Sequence, residues 1–191
     1  MSAAFPLSRL AVVVVMVLVG GRTGAVVSAQ APASPPGAAR QPPEGIKNFT
    51  RVDSAIGCGG ATSSTALAEL RRLGYVTVVS LREPSEPGAD IDLSRLAAAR
   101  EGITFINLPV RSQVPDGRVI EEFLKIVSNP ANQPVYVYCG SGNRAAALWY
   151  VKRVRVDGWT DERALAEAEA IGLTDGPART FVRNYVKESW R

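Results

Sequence analysis

No histidine occurs among the 191 residues of this chain, and cysteine is confined to Cys58 and Cys139. The first absence removes Cys–His and Ser–His mechanisms, together with most zinc sites. The second leaves room for one disulfide at most. Long apolar runs are missing too. The longest, residues 10–19, is short for a bilayer span and is followed by Gly20, Gly21 and Arg22. Charge is mild, with 22 Lys and Arg against 18 Asp and Glu. That balance argues for neither nucleic acid nor an anionic membrane as a partner.

The amino-terminal quarter is organised by composition. Arg9 precedes the apolar run, and Val27-Ser28-Ala29 has the small-residue pattern of a signal-peptidase site. Residues 1–29 therefore read as an export signal, with an uncleaved anchor as the alternative and a periplasmic or secreted location as the consequence. No cysteine follows the run closely, which speaks against a lipoprotein. Cleavage takes away Arg9 and Arg22 and no acid, so 22 basic residues against 18 acidic become 20 against 18. Residues 30–45, rich in Pro, Ala and Gln, have little to bury and read as a solvated linker. Residues 46–191 suit a single domain with its own core and no internal repeat. No membrane span is expected once the signal is gone, and the oligomeric state is open.

The most informative feature lies further on. The apolar strand 134–138 runs straight into Cys139-Gly140-Ser141-Gly142-Asn143-Arg144, and then into a helical stretch. A glycine-rich turn between a strand and a helix aims backbone N–H groups at one spot, where the helix N-terminus also favours negative charge. Such a place lowers a thiol pKa, so Cys139 is a candidate nucleophile. Arg144 supplies a planar fork suited to two oxygens of a tetrahedral oxyanion. Gly140, Ser141, Gly142 and Asn143 are the candidate phosphate-binding residues between them. The pattern points to cysteine chemistry on phosphate or a similar group. A lone buried cysteine near glycines would be only a small hydrophobe, but strand, cysteine, glycines, arginine and helix in this order argue against that.

Around this loop, strands and helices alternate. Residues 49–56, 75–81, 103–110 and 135–138 are expected strands. Helices are expected over 62–73, 91–100, 117–128, 144–156, 161–171 and 178–189. Asp90 is the expected cap of the second helix, which should bury Leu93, Leu96 and Ala97. The fold class is α/β, with a mostly parallel central sheet flanked by helices on both faces. Ligands in such folds collect at the carboxyl ends of the strands, which is where Cys139 falls.

Three segments carry a resemblance. They are residues 66–82 (ALAELRRLGYVTVVSLR), Ile106-Asn107-Leu108-Pro109-Val110, and Val137-Tyr138-Cys139 onward to Arg144. From about residue 48 to 186 the chain resembles the cysteine-dependent protein tyrosine phosphatase superfamily on its dual-specificity-like side. It is most similar there to bacterial phosphatase-like domains also found fused to NAD kinase or to metallo-β-lactamase-like hydrolases. The resemblance implies hydrolysis of a phosphorylated substrate in two steps, with no metal or organic cofactor. Cys139 would form a phosphocysteine while Arg144 and the amides of residues 140–143 hold the equatorial oxygens.

The resemblance has departures. Four residues, not five, separate Cys139 from Arg144, Tyr138 stands where the superfamily usually has histidine, and Ala145 where it commonly has a hydroxyl. The bacterial group resembles this chain in the shorter loop. Rhodaneses share that spacing, which leaves sulfur transfer as a rival reading and a phosphate-binding module as another. The implied general acid is an aspartate on the loop after residues 103–110, where the first is Asp116. Asp116 also reads as the cap of the helix starting at Gly117. Cys58 reads as a buried thiol or as a candidate redox partner of Cys139, since an oxidising compartment invites a disulfide, with an exposed thiol or a bond to another chain as the remaining alternatives. Arg82 and Glu83, at a strand end, read either as pocket residues or as solvated charge, while Trp149, Tyr150, Trp159 and Phe181 read as packing.

Overall fold

A computed structural model describes residues 42–111 and 116–188. The expected export signal and residues 30–41 of the expected linker lie outside the described residues, as do residues 112–115. Five strands form the sheet: β1 (Thr50–Arg51), β2 (Ile56–Gly59), β3 (Thr77–Ser80), β4 (Thr104–Asn107) and β5 (Val135–Tyr138). Six helices accompany them: α1 (Leu67–Arg72), α2 (Ile91–Arg100), α3 (Gly117–Ser128), α4 (Asn143–Arg155), α5 (Asp161–Ile171) and α6 (Pro177–Glu188). Strand order is β1-β2-β5-β3-β4, parallel throughout except for the antiparallel β1. The α/β class with a mostly parallel sheet is therefore the observed one.

β5 is the centre of the sheet, with Val137 opposite Cys58 on one side and Val79 on the other. Strands covered on both faces can be apolar at every position, and β2, β3 and β5 are buried throughout. Ile56, Cys58, Val79, Val135 and Val137 face a core completed by α3 to α6. Val78, Tyr136 and Tyr138 face the opposite core with Leu67, Leu70 and Ala98 from α1 and α2. On that second face Phe49, Tyr75, Tyr136 and Tyr138 form a run of neighbouring rings with centroids 5.6–6.3 Å apart. The ring layer explains the glycines of β2. A Cβ on Gly57 would strike the Tyr75 hydroxyl and one on Gly59 the Tyr136 hydroxyl.

Several expectations need correction. Residues 49–56 are not one strand, because the Asp53 carboxylate accepts from the N–H groups of Ala55 and Ile56 at 2.8 and 3.1 Å. That turn folds β1 back on β2. The expected helix 62–73 is a 3-10 turn, Ser64–Ala66, followed by α1. α2 has its expected bounds, but Asp90 makes no side-chain cap and sits in a left-handed conformation at φ 42°. α2 buries Ile91, Ser94 and Ala98, leaving Leu93 and Leu96 at 58% and 59% exposure. Its small side chains, not its leucines, meet the neighbours.

The last residues of the expected linker also take part in the fold. Pro43 and Gly45 accept through their carbonyls from Ile46 and Ser63 at 3.2 and 2.9 Å. Among the described residues no helix is long and apolar enough to cross a membrane.

Candidate active site

β5 ends at Tyr138, and the next four residues carry the chain into α4. The Cys139 N–H still donates to the Gly59 carbonyl at 3.2 Å, so the thiol is fixed by the sheet and not by a free loop. The turn then needs a left-handed residue, and Gly142 supplies φ 101° as the residue capping α4. Its N–H donates to Cys139 Sγ at 3.1 Å. The Asn143 N–H reaches Ser141 Oγ at 3.4 Å, and the Asn143 side chain accepts from the Thr174 N–H at 3.2 Å. No described residue accepts from the N–H groups of Gly140 or Ser141. Gly142 gives α4 no side-chain cap, and the Arg144 and Ala145 amides of its first turn have no acceptor among the described residues. Open amides of this kind make an anion-binding concavity.

Arg144, on the first turn of α4, is 9% exposed and closely held. Nη1 donates to the carbonyls of Leu81 and Val110 at 3.2 and 2.8 Å, and to Glu86 Oε1 at 2.6 Å. Nη2 donates to Glu86 Oε2 at 2.7 Å. Glu86 thus takes the end of the guanidinium. No described oxygen accepts from the edge formed by Nε–H and the second Nη2–H, and the guanidinium has the Cys139 thiol as its remaining side-chain neighbour. Nη2 lies 3.6 Å from where a Cβ on Gly140 would stand, which places the guanidinium against the loop. Burial works against the charge of Arg144, but Glu86 and Cys139 outweigh it and raise the pKa. The free edge is a fork of two parallel donors, the arrangement that grips two oxygens of a phosphate.

Glu86 is the residue that the sequence reading missed. It sits between Pro84 and Pro87 in the segment after β3, and its carboxylate also accepts from the Glu83 N–H at 2.9 Å and from Arg82 Nε at 3.2 Å. The paired Arg144 guanidinium is the largest cause holding its carboxyl at about 2, against an ordinary 4.5. Arg82, buried, donates to the carbonyls of Pro87 and Gly88, both at 2.6 Å, and so fastens this segment to the end of β3. The signal available in the sequence was a proline-bracketed carboxylate just past the carboxyl end of a strand.

The remaining candidates divide. Asp116 accepts from the Arg118 N–H at 2.9 Å as the cap of α3, and pairs with the Arg118 side chain at 2.7 Å. That side chain lowers its pKa. With Glu83, Val110 and Arg111 it lines a surface depression next to the carbonyl that Arg144 holds. Glu83 is paired there with Arg111 at 3.1 Å.

Cys58 is a free, buried thiol in β2. Its register partner is Val137, two positions before Cys139. Strand spacing and rise then put the two cysteine Cα atoms roughly 8 Å apart, beyond the ~7 Å that a disulfide bridges. Burial pushes the Cys58 thiol pKa up, with Cys139 adding to it. Both thiols are free in the structure and belong to one core layer.

Comparison with known proteins agrees with this geometry. Residues 43–182 match the family described as DSP-PTPase phosphatase fused to NAD+ kinase. The chain is 27% identical over 180 residues to the dual specificity protein phosphatase TpbA of Pseudomonas aeruginosa, covering 93% of this chain and 78% of that protein. It is 33% identical over 101 residues to the probable chloroplastic NAD kinase 2 of rice, Oryza sativa subsp. japonica. That match takes in 51% of this chain but spans only 10% of the rice protein's length. In fold, a putative phosphatase (DUF442) from Shewanella putrefaciens CN-32 superposes with a TM-score of 0.64 at 19% identity, over 76% of this chain and 95% of the other. With the strand, loop and helix in place, and the match running through most of the described residues, the chain belongs to this phosphatase family, a dual-specificity-like branch of the protein tyrosine phosphatase superfamily.

Proposed function

We propose that this protein is an exported phosphatase that hydrolyses phosphate monoesters through a phosphocysteine on Cys139. The observation carrying the proposal is Arg144. Its one edge is taken by Glu86, and the guanidinium meets no other carboxylate, leaving the Nε–Nη2 edge to the Cys139 thiol and to an oxyanion seated against it. The Cys139 thiolate attacks phosphorus, the bond from phosphorus to the ester oxygen breaks, and the leaving oxygen takes a proton. Arg144 and the open amides of Gly140 and Ser141 bind the equatorial oxygens as charge builds on them. Water then attacks the phosphocysteine, releasing inorganic phosphate and returning the thiolate. The Gly142 N–H lies against Sγ, in contact with the sulfur as it attacks and as it leaves.

Asp116 is assigned as proton donor to poorer leaving groups, a role it takes on release of Arg118. Export rests on the amino-terminal sequence pattern.

The test is one preparation in two assays under reducing conditions: release of phosphate from an aryl phosphate, and formation of thiocyanate from thiosulfate and cyanide. Phosphate release alone is the expected result. Thiocyanate alone assigns the loop to sulfur transfer, and neither product leaves a binding module.

A further inference from the structure

We infer that Asn48 is a positioning residue for the reaction: it holds the Ser141 carbonyl on the outer side of the phosphate loop and so keeps the Gly142 N–H turned onto the Cys139 sulfur. The inference deepens the phosphatase reading and rests on it.

A trans peptide unit is planar, and its C=O and N–H point in opposite directions. Whatever grips a carbonyl on one side of a turn therefore sets which way the next N–H faces. In the unit joining Ser141 to Gly142, Asn48 Nδ2 donates to the Ser141 carbonyl at 2.9 Å, and the Gly142 N–H donates to Cys139 Sγ at 3.1 Å. In the unit joining Gly140 to Ser141, the Ala61 N–H donates to the Gly140 carbonyl at 3.0 Å, which leaves the open Ser141 N–H on the opposite side. Two successive carbonyls are drawn outward by neighbouring chain, and the N–H groups that follow them face the inside of the turn.

The neighbouring chain is itself fixed. The Lys47 N–H donates to the Ala61 carbonyl at 3.0 Å, and the Lys47 carbonyl accepts from the Gly60 N–H at 2.7 Å. Gly60 lets it come close, since a Cβ there would lie 3.0 Å from the Ser141 carbonyl carbon and 3.2 Å from the Gly140 oxygen. Asn48 sits in a left-handed conformation at φ 51°, which asparagine tolerates better than most side chains. Its partner is a carbonyl oxygen 93 residues away in sequence, so only the amide nitrogen can face it.

The hold matters because this peptide unit is able to turn over. Its rotation changes ψ of Ser141 and φ of Gly142, and glycine accepts either sign of φ. Gly142, at φ 101°, has no Cβ to block the movement. Turned over, the unit would present the Ser141 oxygen to the sulfur and to the oxyanion, the negative end of a dipole in place of a donor. Among the described residues, Asn48 alone donates to the Ser141 carbonyl.

The experiment uses the full-length protein with two variants. Asn48→Gly keeps the left-handed backbone and loses the donor, while Asn48→Asp keeps the shape and sets a carboxylate against the carbonyl. Tungstate affinity, kcat and KM for an aryl phosphate, and exchange of the Gly142 amide hydrogen by NMR are measured beside the unfolding midpoint. In Asn48→Gly, tungstate affinity and kcat/KM should fall roughly threefold to tenfold, the span for one hydrogen bond, and the Gly142 amide should exchange faster. Asn48→Asp should lose more of each. Wild-type affinity, kcat/KM and exchange in both variants, or a lowered midpoint as the only change, overturns the inference and leaves the phosphatase reading standing. A wild-type protein that neither binds tungstate nor releases phosphate overturns both.

Discussion

Glu86 and Arg144, 58 residues apart in sequence, meet as a two-point pair, Oε1 to Nη1 at 2.6 Å and Oε2 to Nη2 at 2.7 Å. The pair decides which edge of the guanidinium remains for substrate. It also brings a carboxylate into the phosphate site, where its charge is offset by Arg82 as well as Arg144. Glu86→Gln keeps the shape and removes the charge that aligns Arg144. Phosphate affinity and kcat/KM should both drop roughly tenfold to a hundredfold, the span for losing a charge-assisted hydrogen bond. Wild-type affinity and turnover in this variant would show that Arg144 is aligned without its partner.

The same residue sets a pH dependence of stability. Its carboxyl is held at about 2 in the folded chain, against an ordinary 4.5. A depressed folded pKa contributes stability that is complete above the unfolded value and is lost as pH falls from about 4.5 towards 2. The contribution is on the order of 3 kcal/mol. Urea unfolding followed from pH 6 downward should show the wild type losing its advantage over Glu86→Gln within that window. Parallel curves would contradict the assignment.

Asp116 can be tested with its capping role preserved, because asparagine is as good an N-cap as aspartate. Asp116→Asn should leave the unfolding midpoint nearly unchanged. Turnover of an alkyl phosphate, whose leaving group needs a proton, should fall by roughly 10²-fold, and that of a nitrophenyl phosphate far less. Equal effects on the two substrates would remove Asp116 from proton transfer.

How much of this was legible in the sequence follows from which forces act locally. Cys139, the glycines after it and Arg144 are contiguous, so one strand–turn–helix pattern exposed them together. Strand β5 and helices α2, α3 and α5 matched their expected bounds, since their patterns and breakers are local. Glu86 was not found, because it reaches the site through a side-chain pair with Arg144, 58 residues away, which no spacing rule reports. The break at Asp53 was missed because a side-chain turn overrides a strand-like pattern, and α2 was misread because Ser94 and Ala98 give little apolar signal while doing the packing.

The β2 glycines give a packing test. Gly59→Ala should destabilise the fold by about 1–3 kcal/mol through overpacking against Tyr136. Tyr136 Oη is hydrogen-bonded to Thr62 Oγ1 at 3.1 Å, so Tyr136→Phe alone carries a smaller penalty. Combining Gly59→Ala with Tyr136→Phe should recover part of the loss, because the hydroxyl that the new methyl would strike is gone. Strict additivity in chemical denaturation would count against the contact.

The central claim is that Cys139 is the nucleophile and that the loop binds the oxyanion independently of it. The measurement is aryl phosphate turnover by wild type and Cys139→Ser, with tungstate affinity determined for both. A serine hydroxyl at neutral pH is a far weaker nucleophile than a thiolate, so kcat should fall by at least about 10³-fold while tungstate affinity stays within a few-fold of wild type. A serine variant that retains turnover, or that loses turnover and oxyanion binding together, would contradict the account.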